Sequence, residues 1–551
     1  MGRLSPSSRL VLLLGGIAIC ALTILAYRPV WHGGFIWDDD LYVTHNSLLT
    51  AQDGLRRIWL SLDAPSQYFP LTYTVLRIER SLWGLNPTGY HSVNICFHLA
   101  NALLVWRLLA RLNIPGSWLA ATMFAIHPVQ VESVAWISEL KNVLMGFFFL
   151  LTLLAWTEYV DLRGRNRSTY YAAAILFYFM ALAAKSTACT LPAALLLVLW
   201  WKKKPIGRRA LVELVPFVVL AMSFALIAIW WERYHQGTRV LTPLPPLERL
   251  LIASRAIWFY LSKLFWPSDL TFIYPRWQIS SSDAVAYVWL VVTAAAVVLT
   301  YFVRRTLGRG LEVAALFFVA TLSPLIGFIM LYTFRYTFVA DHYQYLACIG
   351  PIAFTAASFV IAAEKGKHSA WVSTIGVLPI VACLIVLTSR QSATYRDLET
   401  LWRSTIAKDP TSWIGYNNLG VVQFEKGDVD DAIAKYERSL RLYPNYPEAH
   451  YNLGGALLLK GAVDNAIEHC KRALQLQPNE PDALLILGNA FMAKQDVDEA
   501  IRCYSEVVTL RPDDRNGHHN LGIALQEKGE PERAAREFEI AKQLEGNGSR
   551  N

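Results

Sequence analysis

Three consecutive carboxylates, Asp38, Asp39 and Asp40, stand in an aromatic stretch a few residues beyond the first apolar segment. Acidic side chains beside a membrane are costly unless they face water, a cation or a substrate. Two neighbouring carboxylates can share acid–base work, because one accepts a proton while the other positions a substrate or raises the pKa of the first. The same tract could instead form a solvated turn or a helix cap, or bind a divalent cation through its oxygens.

The composition of the chain separates a membrane-like part from a soluble-like part. Of its 551 residues, 54% are hydrophobic and 17% are charged. A soluble protein of this size would expose too much apolar surface, whereas a bilayer accepts it. Long apolar runs end at Ser389, and from Arg390 onward the polarity is that of soluble helices. We therefore expect a membrane domain over 1–389, a connecting helix or half repeat over 390–412 and a soluble domain over 413–548.

Eleven apolar segments reach or approach the roughly 20 residues that a helix needs to cross a bilayer. The segment at 187–201 is marginal in length. A further run at 248–266 carries Arg249, Arg255 and Lys263, so we expect it to lie in the membrane interface. The eleven expected spans are 10–28, 91–112, 116–136, 142–160, 169–184, 187–201, 211–231, 284–303, 311–332, 345–363 and 371–389.

Lys and Arg residues cluster at alternate ends of these segments, as in Arg3 and Arg9, Arg163 to Arg167 and Lys202 to Lys204. Such clusters face the cytosol in most membrane proteins. This pattern predicts a cytosolic N-terminus. It also predicts that the loops at 30–90 and 232–283 and the C-terminal domain share the opposite side, where they can form one active surface.

The net charge of +8 does not indicate nucleic-acid binding, because no basic face or aromatic platform accompanies it. The seven cysteines contain no CxxC pair and have no regular spacing, which argues against a disulfide framework.

The C-terminal part repeats with a period of 34 residues. Four glycines keep this spacing, as do four alanines and three prolines: Gly420, Gly454, Gly488 and Gly522; Ala432, Ala466, Ala500 and Ala534; Pro444, Pro478 and Pro512. This is the tetratricopeptide-repeat (TPR) pattern, in which small residues let paired helices approach and proline ends the second helix. We predict four repeats over 413–548 that form an α-solenoid, with a preceding half repeat that contains Trp402.

Asparagines recur in one column of the first repeat helices, at Asn418, Asn452 and Asn520, with Ile486 in the third repeat. A ladder of amides in the concave groove can hydrogen-bond an extended peptide without reading its sequence. The column also agrees with the plain TPR consensus. Both interpretations, acceptor peptide binding and repeat packing, remain open from the sequence.

The tract WHGGFIWDDDLYVTHN resembles the aspartate motif of GT-C glycosyltransferases. The stretches YFPLTYTV, WGLNPTGYHSVNICFHLANALL, FAIHPVQVESVAWISELKNVL, LAAKSTACTLP and VADHYQYLACIG are similar to the transmembrane and TPR-containing O-mannosyltransferases and their bacterial relatives. The resemblance extends over nearly the whole chain. It implies an all-α, polytopic GT-C-like domain followed by a TPR solenoid. It also implies Asp38 and Asp39 as the catalytic pair, with Asp40 outside the motif.

The same resemblance implies groups that bind the donor phosphate or the substrate. Lys185 and His342 lie in tracts that match the family pattern, and Arg335, Lys141, His127 and Glu132 are further candidates. His127 could instead be a core histidine that bonds a backbone carbonyl. A divalent cation at the three aspartates remains an alternative, because some GT-C enzymes use a metal and others do not.

These observations lead to one preferred function and two alternatives. We expect a glycosyltransferase that moves a sugar, most plausibly mannose, from a polyprenyl phosphate to protein Ser or Thr hydroxyls on the non-cytosolic face. A membrane-anchored TPR scaffold without catalysis, or a GT-C transferase that acts on lipid or polysaccharide, would carry many of the same features. We favour a bacterial inner membrane over the endoplasmic reticulum, with the TPR domain periplasmic or lumenal.

Overall fold

The computed structural model describes residues 6–61, 66–162, 166–234, 244–329, 332–365 and 370–548. These residues form helices joined by turns, and they include no strand. The chain divides into two compact units, Met1–Asp397 and Leu398–Asn551. Part of the expected loop at 232–283 and the tip of the loop at 30–90 lie outside the described residues.

The first unit contains fifteen α-helices within the described ranges. They are α1 (Pro6–Ala26), α2 (Gly54–Leu60), α3 (Pro70–Trp83), α4 (Pro87–Arg111), α5 (Ser117–Ala125), α6 (Val131–Ala135), α7 (Leu140–Asp161), α8 (Asn166–Ala184), α9 (Leu191–Trp201), α10 (Arg208–Tyr234), α11 (Pro246–Phe265), α12 (Val288–Leu307), α13 (Gly310–Leu322), α14 (Ile349–Lys365) and α15 (Ala370–Ala393).

Six helices in the described part of the chain are long and apolar enough to cross a membrane. Each overlaps one of the eleven expected spans: Arg9–Ala26, Pro87–Arg111, Ile137–Asp161, Arg208–Arg233, Ala284–Thr306 and Gly376–Ala393. The apolar helices at Ser186–Trp201 and Gly310–Leu325 are shorter. The multi-pass character is thus supported by length and composition, and the number of eleven spans stays a prediction.

The expected span at 116–136 is not a continuous helix, which corrects that prediction. α5 ends at Ala125, and two 3₁₀ turns, Pro128–Gln130 and Ile137–Glu139, flank the single short helix α6. Pro128 has no N–H to continue α5, and the ring of His127 accepts a hydrogen bond from Val129 N. Every residue from 124 to 146 is buried. The break therefore turns polar side chains into the interior of the unit.

The segment after α1 folds into short turns that carry the aspartates. A π-helical turn spans Asp40–Thr44, and a 3₁₀ turn follows at Ser47–Leu49. Trp37 has a φ of +47°, in the left-handed region that a bulky side chain rarely adopts. This turn directs the two residues that follow Trp37 differently, since Asp38 is half-buried and Asp39 is buried.

The second unit consists of nine helices within its described residues. They are α16 (Leu398–Lys408), α17 (Trp413–Glu425), α18 (Val429–Leu442), α19 (Pro447–Leu459), α20 (Val463–Leu476), α21 (Pro481–Ala493), α22 (Val497–Leu510), α23 (Arg515–Glu527) and α24 (Pro531–Gly548). The repeated glycines bring paired helices together. A Cβ atom on Gly488 would lie 2.5 Å from the ring of Tyr504, so no larger residue fits there without movement.

A lysine near the end of each first helix forms an ion pair with an acidic residue of the preceding helix pair. The pairs are Lys426–Glu399, Lys460–Asp430, Lys494–Asp464 and Lys528–Asp498. Glu399 belongs to α16, and Trp402 of the same helix is buried. α16 therefore takes the position of a second repeat helix ahead of the four complete repeats.

Candidate functional site

Asp39 is held inside the first unit by three hydrogen bonds. Ser138 donates to Oδ1 from its backbone N at 2.8 Å and from its Oγ at 2.7 Å, and Ile36 N donates to Oδ2 at 2.8 Å. The side chain has no exposed surface. Burial raises the pKa of Asp39 to about 7, although the three hydrogen bonds oppose the shift. Both oxygens are occupied, so Asp39 fixes the aspartate turn to the segment before α7.

Asp38 faces a group of charged side chains. Burial raises the pKa of Asp38, while Lys141 and His342 lower it and Glu139 raises it further through electrostatic interaction. Asp40 is exposed, and its Oδ1 accepts a hydrogen bond from Thr44 Oγ1 at 2.8 Å. The three consecutive aspartates thus have three different environments, and Asp38 is the one directed toward charge.

Glu139 lies at the centre of that charged group and is 1% exposed. Lys141 Nζ lies 2.9 Å from its Oε1, and Lys185 Nζ lies 3.4 Å from its Oε2. His342 Nε2 lies 3.9 Å from Oε1. Buried charges persist when they are paired and hydrogen-bonded. Two ammonium groups and an imidazole therefore converge on one carboxylate.

A second carboxylate, Glu132, orients His342. Its Oε2 accepts a hydrogen bond from His342 N at 2.9 Å, and its Oε1 lies 3.0 Å from His342 Nδ1. Asn142 completes the arrangement, because its Nδ2 donates to His342 O at 3.0 Å and its Oδ1 accepts from Lys185 Nζ at 2.8 Å. The backbone of His342 is therefore held by Glu132 and Asn142, and its imidazole lies between Glu132 and Glu139.

A cleft opens beside these residues. Asn142 and His342 line it together with the hydroxyl-bearing side chains Thr187, Thr190 and Thr321. Hydroxyl, amide and imidazole groups can all donate hydrogen bonds to the oxygens of a sugar or a phosphate. We call Asp38, Glu132, Glu139, Lys141, Lys185, His342 and Asn142 the polar cluster.

The remaining candidates from the sequence have other surroundings. His127 Nε2 lies 2.9 Å from Leu264 O and forms a hydrogen bond with it. This is the alternative role as a core histidine that bonds a backbone carbonyl. Arg335 ends the 3₁₀ turn Tyr332–Arg335, with its guanidinium 5.7 Å from the ring centre of Tyr336. Within the described ranges, no group of three or more His, Cys, Asp or Glu side chains is placed to hold a metal ion.

Sequence reasoning did not single out three residues of this site: Ser138, Glu139 and Asn142. They share the tract SELKN with Lys141 at the start of a long apolar helix. Ionisable residues at such a position are themselves a signal, because they are costly in a membrane and usually face a partner. Glu139, two residues before the candidate Lys141, could have been found in this way.

The asparagine column of the repeats takes part in packing. Asn452 Nδ2 donates to Asn417 Oδ1 at 3.1 Å, and Asn520 Nδ2 donates to Asn489 Oδ1 at 3.0 Å. Asn418 Nδ2 donates to Ile414 O of its own helix at 2.8 Å. Two of the three amides thus connect the first helices of neighbouring repeats, and each side chain is half-buried.

Family models match the second unit. A tetratricopeptide-repeat model matches residues 399–447 and 417–481, and a TPR-repeat model matches 488–529. Among solved structures, the crystal structure of MamA is similar, at 24% identity and a TM-score of 0.26, over 28% of this chain and 90% of that chain. The predicted TPR repeats are confirmed.

Curated relatives are protein O-mannosyl-transferases. TMTC2 of Mus musculus is 32% identical over an alignment of 161 residues that covers 27% of this chain and 19% of that protein. TMTC4 of Homo sapiens is 28% identical over an alignment of 194 residues that covers 30% of this chain and 26% of that protein. The chain is O-mannosyl-transferase-like and carries TPR repeats.

The O-mannosyl-transferase-like chain spans only about a fifth to a quarter of the length of these relatives. The sequence tracts predict a resemblance over nearly the whole chain, whereas these two matches cover 27% and 30% of it. The family resemblance and the all-α architecture with TPR repeats are confirmed. The roles of individual residues rest on the geometry of the polar cluster.

Proposed function

We propose that this protein is a GT-C-type glycosyltransferase that moves mannose from a polyprenyl phosphate to Ser or Thr hydroxyls of a protein. The observation that carries this proposal is the polar cluster, in which Asp38 interacts electrostatically with Lys141, Glu139 and His342, and Lys185 pairs with Glu139. The names of the relatives support the reaction class.

The proposed step is a displacement at the anomeric carbon of the sugar. The acceptor hydroxyl oxygen forms a bond to that carbon while the bond from the carbon to the phosphate oxygen breaks. Asp38 takes the hydroxyl proton as general base. The electron pair of the broken bond leaves with the polyprenyl phosphate, and the charge that develops needs hydrogen-bond donors and cations.

Asp38 suits the base better than Asp39 does. Both Asp39 oxygens accept hydrogen bonds, and no part of this side chain is exposed. Asp38 is half-buried and directed toward charge. The two aspartates expected as one functional pair therefore receive separate roles, with Asp39 as the positioning residue and Asp38 as the base.

Lys141, Lys185 and His342 are placed to bind the leaving phosphate. An ammonium group has three N–H donors, so each lysine can pair with Glu139 and still donate to a phosphate oxygen. Glu139 keeps the two cations close together when no substrate is bound, since their mutual repulsion would otherwise separate them. Glu132 and Asn142 hold the backbone of His342 through hydrogen bonds to its N and O.

The proposal also concerns the membrane topology and the role of the TPR array. We infer that the aspartate turn and the TPR array share the non-cytosolic face of a bacterial inner membrane or of the endoplasmic reticulum. The array binds the acceptor protein, because TPR grooves commonly bind peptides in extended form. The alternating Lys and Arg clusters support this topology.

A transfer assay with the purified full chain in detergent tests the proposal. The assay offers polyprenyl phosphomannose to candidate protein acceptors and follows labelled sugar in the protein fraction. We expect transfer by the native chain and by Asp40→Asn, and none above background by Asp38→Asn. Sugar that appears only in lipid or polysaccharide would assign a different acceptor. Equal labelling by the native chain and Asp38→Asn would favour a scaffold function.

A further inference from the structure

Two histidines of the second repeat face each other through the same ring atom. His450 Nδ1 lies 3.0 Å from His469 Nδ1, and the ring centres are 5.3 Å apart. His450 Nε2 lies 3.0 Å from Pro444 O, a contact in which the ring must donate. Because Nε2 of His450 carries the hydrogen, its Nδ1 presents a lone pair to His469. This brings two imidazole nitrogens together within the second repeat.

The fourth repeat shows what the same positions do with another partner. His518 and Glu537 stand 68 residues after His450 and His469. His518 Nε2 lies 3.0 Å from Pro512 O, and its Nδ1 lies 2.6 Å from Glu537 Oε2. A carboxylate at the second position therefore satisfies the histidine and forms an ion pair. In the second repeat, His469 takes the place of that carboxylate, so the two hydrogen-bonded residues bring together two ring nitrogens that can each bind a metal ion.

A histidine that binds a metal through one ring nitrogen usually donates a hydrogen bond from the other ring nitrogen, often to a backbone carbonyl. Zn²⁺ binds imidazole nitrogen at about 2.0–2.1 Å, so two nitrogens on a tetrahedral ion are about 3.3 Å apart. The observed 3.0 Å is about 0.3 Å shorter, a difference that a small ring rotation removes. Imidazole pairs favour Zn²⁺, Cu²⁺ and Ni²⁺ over harder cations.

The charges around the pair are mixed. Glu437 and Glu468 act electrostatically on His469 and attract a cation, whereas Arg472 acts on His450 and repels one. The guanidinium of Arg472 donates hydrogen bonds to Asn445 and Gln475. We propose that His450 and His469 form a two-histidine site for a divalent transition metal ion such as Zn²⁺, with water in the remaining coordination positions. This site is independent of the proposed transferase function.

Titration of the full chain with ZnCl₂ by isothermal calorimetry tests the site. Each histidine is replaced singly, in His450→Gln and His469→Gln, and the matched control is His518→Gln in the fourth repeat. We expect one saturable binding event in the micromolar range for the native chain and for His518→Gln. Loss of either ligand should weaken it by at least about tenfold.

Thermal unfolding without metal shows whether each variant retains the repeat fold, and with Zn²⁺ it gives a second measure of binding. Stabilisation by Zn²⁺ in the native chain that is absent from folded His469→Gln supports the site. Equal Zn²⁺ binding by the native chain and a folded His469→Gln overturns it. Saturation of the native chain only in the millimolar range also overturns it and leaves a hydrogen-bonded histidine pair.

If neither histidine variant folds, a chemical modification experiment on the native chain tests the site. Diethyl pyrocarbonate modifies histidines, and Ni²⁺ should protect His469 from it. Equal modification of His469 with and without Ni²⁺ overturns the site.

Discussion

The two units of this protein use charged residues in opposite ways. In the first unit, Glu139, Lys141 and Lys185 are buried, and Lys185 is 46 positions from its partner Glu139. In the second unit, ion pairs such as Lys494–Asp464 are exposed and recur with the repeat period. A buried pair costs several kcal/mol when one partner is lost, whereas an exposed pair contributes little. The buried ion pairs of the first unit are therefore candidates for a functional role, whereas the exposed ion pairs of the second unit make small contributions to the packing of neighbouring repeats.

The largest effect should come from Asp38→Asn. Asparagine has nearly the same shape but cannot accept a proton at neutral pH, so transfer should fall by about 10²–10⁴. Initial rates of sugar transfer measure the loss. Asp40→Asn is the matched control, because Asp40 is exposed and bonds only locally to Thr44. A greater loss at Asp40 than at Asp38 would show that the catalytic position is misassigned.

Glu139→Gln should mainly reduce stability. The change leaves Lys141 and Lys185 without their shared counter-charge, and breaking a buried ion pair typically costs about 3–5 kcal/mol. Thermal unfolding in detergent measures the effect. Asp464→Asn in the second unit is the comparison, since its side chain is 81% exposed. Similar decreases in unfolding temperature for Glu139→Gln and Asp464→Asn would contradict the contrast between buried and exposed ion pairs.

Ser138→Ala should have an intermediate effect. It removes one hydrogen bond to Asp39 and leaves the bond from Ser138 N. A hydrogen bond to a charged group contributes about 1.5–3 kcal/mol, so activity should fall by at most about 100-fold. Ser138→Thr, which keeps the hydroxyl, should retain most of the transfer activity. If alanine and threonine give the same kcat and KM, Asp39 does not position Asp38.

The pH dependence should show opposite trends for activity and stability. The pKa of Asp38 is raised above the ordinary value of about 3.9. Activity should therefore decline as the pH is lowered, with the midpoint of this decline above pH 4, because the base takes up a proton there. Asp39 has a pKa of about 7 in the folded state, above its unfolded value. Its contribution to stability is therefore complete below about pH 4 and is lost as pH rises through 7. Asp39→Asn should lack this slope in pH-dependent unfolding. An acid limb of activity at or below pH 4 would exclude Asp38 as the base.

The smallest effects should come from the asparagine column. Asn452→Ala removes one hydrogen bond between repeats and should cost about 0.5–1.5 kcal/mol, while Asn418→Ala affects only a bond within its own helix. Replacing Asn418, Asn452 and Asn520 together should weaken acceptor binding and leave the array folded. Circular dichroism and acceptor affinity separate these outcomes. Unchanged transfer to the natural acceptor by the triple variant would remove the peptide-binding role.

The sequence predicted the periodic features better than the tertiary ones. The 34-residue spacing determined the paired helices of the array, because each repeat contacts mainly its neighbours. Hydropathy located six long helices but predicted a span at 116–136 that Pro128 and the buried turns interrupt. It also gave no basis for separating Asp38 from Asp39. That difference depends on the left-handed turn at Trp37 and on a contact with Ser138, neither of which local composition reveals.

The bond between Asp39 and Ser138 joins residues that are 99 positions apart. During synthesis at about 5–20 residues per second, roughly 5–20 s separate the emergence of the two residues from the ribosome. The bonds from Ser138 to Asp39 cannot form in that interval. The contact of Glu132 with His342 joins residues 210 positions apart. The polar cluster is therefore complete only after residue 342 has been synthesised, long after its aspartate turn.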